Sequence, residues 1–120
     1  MPESDAVLPV PLSRTGLRKR GFNQSLLLAK AVSDHREIPL IMDALFKKKE
    51  TLPQIGLSAK ERITNLKGAF HADRKVLGMR LLLVDDVMTT GATARTCSKE
   101  LIDAGAREVT VLTLARASAL

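Results

Sequence analysis

The stretch from Leu81 to Leu114 constrains this chain more than any other. Four consecutive apolar residues, Leu81-Leu82-Leu83-Val84, run into Asp85 and Asp86 and then into a Thr89-Thr90-Gly91 turn. An unbroken apolar run suits a central strand covered on both faces, because a strand with one wet face would alternate. Two aspartates are expected to end it. From Ala92 to Ala104 the spacing is helical: Cys97 and Leu101 stand four apart on one face, and Gly105 sits where a left-handed residue closes a helix. Glu108 to Leu114 reads as a strand again. Strand, loop, helix and strand in that order form a βαβ unit, so the sheet is mainly parallel and the fold class is α/β with helices on both faces.

The rest of the chain fits around that unit. Val7-Leu8-Pro9-Val10 is a short β-type run in which Pro9 removes a ladder donor, which points to an edge, an end or a bulge. A basic loop, Arg14 to Gly21, leads to a helix predicted over Phe22 to His35. Asp43–Lys49 and Ala69–Ala72 have strand character and flank a polar segment, Glu50 to Gly68. Inside it, Ser58-Ala59-Lys60-Glu61 has capping-box spacing, which predicts a short helix to about Leu66.

At 120 residues there is one domain, 1–120, with one core. Hydrophobic residues at 45% and charged residues at 27% exclude a disordered chain. The apolar runs are too short to span a bilayer, and the acidic Met1–Asp5 start does not look secretory, so the sequence reads as cytoplasmic. The single cysteine, Cys97, excludes a disulfide framework or a cysteine-ligated zinc site within these residues, and it reads as a small core residue. His35 and His71 are not spaced with other metal ligands. The net charge of +6 is unevenly spread: residues 41–80 hold nine basic against four acidic side chains, while residues 81–120 hold four against five. No Trp, no Tyr and three Phe leave few platforms for stacking bases.

In an open parallel sheet, ligands bind beyond the carboxyl ends of the strands, so the expected loop from Asp85 to Thr93 is the candidate site. A helix starting near Gly91 turns unpaired amides and its positive dipole end into that loop, which favours a phosphate. Gly91 permits close backbone approach, and Thr89, Thr90 and Thr93 add hydroxyl donors. Asp85 and Asp86 would repel the same phosphate, so their natural partners are hydroxyl groups or a divalent cation. A ribose 5-phosphate satisfies both demands. Competing readings fare worse. A Walker B strand needs a P-loop, and none of the seven glycines is followed by lysine. A receiver domain carries its acidic pair early, whereas only 34 residues follow Asp86.

Leu81 to Thr93 resembles, at all thirteen positions, the phosphoribosyl pyrophosphate (PRPP) signature of type I phosphoribosyltransferases. Further blocks narrow the resemblance to the ComF family, also described as amidophosphoribosyltransferase-like. They are Val10-Pro11-Leu12 with Arg18-Lys19-Arg20-Gly21-Phe22-Asn23-Gln24; Thr51, Gln54 and Gly56-Leu57-Ser58; and Arg62, Asn65, Gly68, Ala69 and Phe70. The end, Leu114-Ala115-Arg116-Ala117, is also similar.

The resemblance implies that Asp85 and Asp86 address the ribose hydroxyls, directly or through Mg²⁺, and that Thr89, Thr90, Gly91, Ala92 and Thr93 cradle the 5′-phosphate. It puts Arg14, Arg18 and Arg20 on the pyrophosphate loop, and Gln54 and Arg62 on a flexible loop that closes over the reacting sugar. The implied activity is a Mg²⁺-dependent phosphoribosyltransferase. The alternative is a non-catalytic nucleotide- or PRPP-binding module that contacts single-stranded DNA during DNA uptake. Members of the family usually begin with a cysteine-rich zinc-binding module that this sequence lacks, so a homodimer or an N-terminally shortened chain is expected.

Overall fold

The computed structural model describes residues 3–12, 23–48, 51, 56–88 and 91–116, except for the side chains of 87, 88, 115 and 116. Three strands, β1 (Ala6–Pro9), β4 (Arg80–Met88) and β5 (Glu108–Arg116), form a sheet in the order β1-β4-β5. Both pairings are parallel, with Leu8 opposite Leu83 and Leu83 opposite Val111. The other two strands, β2 (Leu45–Lys47) and β3 (Phe70–Ala72), pair antiparallel, with Leu45 opposite Ala72. Between them lies the helix α2 (Ala59–Leu66). Among the described residues the other α-helices are α1 (Gln24–Arg36), between β1 and β2, and α3 (Ala92–Asp103), between β4 and β5, and a short 3-10 turn, Arg74–Val76, lies between β3 and β4.

Alternation along the central strand divides the core in two. Leu82 and Val84 pack with Val7 and with Ala29 of α1, while Leu81 and Leu83 pack with Ala6, Leu8 and the α3 residues Cys97 and Leu101. Each of the four β4 residues is at most 1% exposed, as an unbroken apolar run requires. Full burial of one such side chain stabilises the fold by about 1.5–3 kcal/mol, so this strand anchors both helical layers. Helices on both faces of a parallel sheet are therefore observed as the sequence predicts.

Several boundaries differ from expectation by one to a few residues, and two of them bear on the site. The aspartates do not end β4: the strand runs on to Met88, because β5 stays beside it and pairs Thr113 with Asp85 and Arg116 with Met88. Backbone pairing is indifferent to side-chain polarity, so an acidic pair can ride on a strand whose neighbour continues. Of the loop predicted from Asp85 to Thr93, Asp85–Met88 thereby belong to β4 and Ala92 and Thr93 to α3. The second shift is at α1, which starts at Gln24 rather than Phe22, because Asn23 is its N-cap and accepts a hydrogen bond from the Leu26 amide at 3.3 Å.

Other expectations hold. Ser58 and Glu61 form a reciprocal capping box: the Glu61 amide donates to Ser58 Oγ at 3.1 Å, and the Ser58 amide donates to Glu61 Oε1 at 3.0 Å. β1 is an edge strand and Pro9 is its last residue. Its outer side meets the chain at 39–41, where the Val7 amide donates to the Pro39 carbonyl and the Ile41 amide to the Val7 carbonyl, both at 2.9 Å. At the amino end of the sheet, Arg80 donates three hydrogen bonds to the Asp5 carboxylate: its amide to Oδ2 at 2.7 Å, its Nε to Oδ2 at 3.3 Å and its Nη2 to Oδ1 at 3.1 Å. No helix among the described residues is long and apolar enough to cross a membrane.

Candidate functional site

The carboxyl end of β4 and the start of α3 carry five of the candidate residues: Asp85 and Asp86 on the strand, and Gly91, Ala92 and Thr93 where the helix opens. Gly91 is the N-cap of α3, with φ +81° and no side-chain cap hydrogen bond. Only glycine adopts that conformation without strain, and a cap without a side chain supplies no acceptor of its own to the first-turn amides. Gly91, Ala92 and Thr93 are half-buried. Behind them Thr96 Oγ1 donates to the Ala92 carbonyl at 2.9 Å, fixing the second turn.

Asp85 and Asp86 are both half-buried and, being neighbours on a strand, point to opposite faces. Asp86 follows Val84 toward α1, where the Ser25 hydroxyl donates to its Oδ1 at 2.9 Å. The Asp86 amide in turn donates to Ser25 Oγ at 3.0 Å. Asp85 follows Leu83 toward α3. There burial pushes the Cys97 thiol well up, and the Asp85 carboxylate adds to that effect. Sequence adjacency suggests a pair acting side by side, whereas the structure gives each carboxylate its own environment.

The first turn of α1 is fastened to this end of the sheet at two points. Besides Ser25 on Asp86, Asn23 Nδ2 donates to the Val10 carbonyl at 3.2 Å. Ser25 is 4% exposed, and sequence reading overlooks it. A short polar side chain inside an otherwise apolar helical run, directly before Leu26-Leu27-Leu28, is the signal that could have flagged it.

Arg62 lies on α2 and lines a groove of about 660 Å³ between α2 and α3, together with Leu66, Ala92, Arg95 and Lys99. The structure thus brings Arg62 and Ala92 to one groove. Among the described residues, Arg62 Nε is buried without a hydrogen-bond partner. Arg14, Arg18 and Arg20, Gln54, and Thr89 and Thr90 lie outside the described residues.

Among the described residues no group of three or more His, Cys, Asp or Glu side chains could hold a metal ion. Two half-buried carboxylates on opposite faces of one strand do not make a cage. Mg²⁺ needs no such cage: it is usually bound through one or two carboxylates together with waters and substrate phosphates, so either aspartate alone could serve as its protein ligand.

Known proteins bear directly on this geometry. The family described as "Phosphoribosyl transferase domain" matches residues 22–119. Competence protein F of Haemophilus influenzae is 41% identical over 116 residues, covering 94% of this chain and 51% of that protein. The DNA utilization protein YhgH of Escherichia coli K12 is 38% identical over 112 residues, covering 93% of this chain and 49% of the relative. The chain thus spans about half the length of the curated relatives it matches. Among solved structures, the glutamine phosphoribosylpyrophosphate amidotransferase from Bacillus subtilis, complexed with ADP and GMP, superposes with a TM-score of 0.65 at 28% identity. The match covers 93% of this chain and 22% of that one.

Proposed function

This chain belongs to the phosphoribosyl transferase domain family, and from that premise we propose that it binds PRPP, or a ligand containing ribose 5-phosphate, with Mg²⁺ and transfers the phosphoribosyl group. The single observation that carries this reading is the end of β4: half-buried carboxylates on the strand, then a helix that opens on Gly91 with no side-chain cap. Amides at the α3 start suit a dianion, and carboxylates a few residues before them suit hydroxyl groups.

In this reading Gly91, Ala92 and Thr93, with Thr89 and Thr90, hold the 5′-phosphate, which fixes the sugar with its ring toward the β4 carboxylates. Asp85 and Asp86 accept hydrogen bonds from the ribose hydroxyls. Orientation of this kind lowers the barrier by holding the reacting carbon where a nucleophile can approach in line. As C1 loses pyrophosphate, positive charge develops on the sugar, and nearby carboxylates stabilise it. Arg14, Arg18 and Arg20 meet the departing pyrophosphate, and Arg62, with Gln54, contributes from the segment between β2 and β3, which closes the site against water. Mg²⁺ supplies neutralisation of the phosphate charge when bound. A cytoplasmic setting goes with this reading, since PRPP and Mg²⁺ are intracellular reagents.

Calorimetric titration with PRPP and Mg²⁺ tests the proposal. Saturable 1:1 binding that disappears in Asp85→Asn/Asp86→Asn supports it, and absence of heat at millimolar PRPP refutes it. Release of pyrophosphate with a panel of bases and amines then tests transfer.

A second reading is favoured by the names of the relatives, which concern competence and DNA utilization. In it the domain is a non-catalytic nucleotide or PRPP sensor whose basic side chains contact single-stranded DNA. Binding would then fall steeply with salt and weaken when Arg18 and Arg20 are neutralised. Among the described residues Phe70 is buried and Phe46 is exposed, so stacking has one platform there and the contacts would be mainly electrostatic.

A further inference from the structure

Ser25 is buried on α1, yet its hydroxyl commits both of its capacities to one residue of another element. It donates to Asp86 Oδ1 at 2.9 Å and accepts from the Asp86 amide at 3.0 Å. Sixty-one positions separate the two in sequence, so the contact is made by the tertiary fold and not by a local turn. Holding a residue by its backbone and its carboxylate together selects one orientation of that carboxylate. A hydroxyl donating to an ionised oxygen also makes a charge-assisted bond, which is stronger than a neutral one.

We propose that Ser25 is a positioning residue that locks the Asp86 side chain in one rotamer, leaving Oδ2 to face a sugar hydroxyl or a hydrated cation. Its functional consequence rests on the phosphoribosyl reading above; the locking itself does not. Asn23 works alongside it, since its bond to the Val10 carbonyl pins the same helical turn to the end of β1. The turn that carries Ser25 therefore cannot drift from β4 without also breaking from β1. Preorganising one side chain raises ligand affinity about three- to tenfold, because the ligand no longer has to order it.

The test has two arms. In unliganded protein, three-bond couplings report the Asp86 χ1 angle by NMR. Wild type should show one rotamer and Ser25→Ala should show averaging; a single rotamer in Ser25→Ala, or averaging already in wild type, overturns the proposal. Should Ser25→Ala not fold, Ser25→Cys, nearly isosteric but a weak donor, takes its place with the same two outcomes. In the second arm, affinity for ribose 5-phosphate with Mg²⁺ is measured for wild type, Ser25→Ala, Asp86→Asn and the double variant. Ser25→Ala should lose three- to tenfold when Asp86 is intact and nothing further when it is combined with Asp86→Asn. Equal losses in both backgrounds would mean that Ser25 acts through general packing, and the proposal fails. No binding by wild type refutes the phosphoribosyl reading alone, and the coupling result still judges Ser25.

Discussion

Asp85 and Asp86 are neighbours in sequence but serve opposite faces of the sheet: Asp86 is bonded to Ser25 of α1, and Asp85 lies on the side of Cys97 in α3. Their roles should therefore separate on substitution. Asp85→Asn and Asp86→Asn should each weaken PRPP binding by roughly 10- to 100-fold, as loss of a hydrogen bond to a charged group does. Only Asp86→Asn should also change the environment of the α1 first turn. Calorimetry paired with amide chemical shifts at Asn23–Leu26 checks this; identical shift patterns for the two variants would contradict it.

Gly105 follows α3 with φ +110°, and a Cβ built there would lie 2.6 Å from Leu77 Cδ1. Leu77 is 65% exposed, so its methyl group can move aside, whereas the backbone conformation cannot be relieved. Gly105→Ala should lower the unfolding free energy by about 1–3 kcal/mol. Leu77→Ala should not rescue it. Recovery in the double variant, measured by urea denaturation, would show that the side-chain clash and not the backbone is the cause.

Asp5 shows how the amino end of the sheet responds to acid. The Arg80 side chain donating to its carboxylate, and the Arg80 amide after it, hold the Asp5 carboxyl below its ordinary value. A carboxylate whose folded pKa is depressed stabilises the fold above its unfolded pKa of about 3.9, and this contribution disappears as pH falls through the lower folded value. Below about pH 4, Asp5→Asn should flatten the acid-induced decline in the urea midpoint. An unchanged slope would assign that decline to other carboxylates.

Cys97 offers a probe of opening. Its burial among Leu81, Leu83 and Leu101 pushes the thiol far above its usual range, so the native state holds almost no thiolate. Ellman's reagent should react only through unfolding, at a rate that rises with urea in parallel with the loss of structure. Rapid labelling in native buffer would contradict a closed core on the α3 side.

Most of the architecture was legible because its signals are local. The apolar run Leu81–Val84 announces a doubly covered strand, and the Ser58–Glu61 spacing announces a capped helix. β4 overran its prediction because its length is set by β5, a partner whose reach no local pattern reveals. The acidic pair was legible as a candidate, but not the division of its faces, since that follows from the strand continuing through it. Ser25 escaped because its partner lies in another element. Its polarity is visible in the sequence, but the carboxylate that receives its hydrogen bond is visible only in the fold.

The central claim is that the amides opening α3 hold the 5′-phosphate of a sugar. Titration of ¹⁵N-labelled protein with ribose 5-phosphate measures it most directly. The largest shifts are expected at Gly91, Ala92 and Thr93, saturating together with those of Asp86. Shifts confined to other elements, or none at millimolar ligand, would contradict the account.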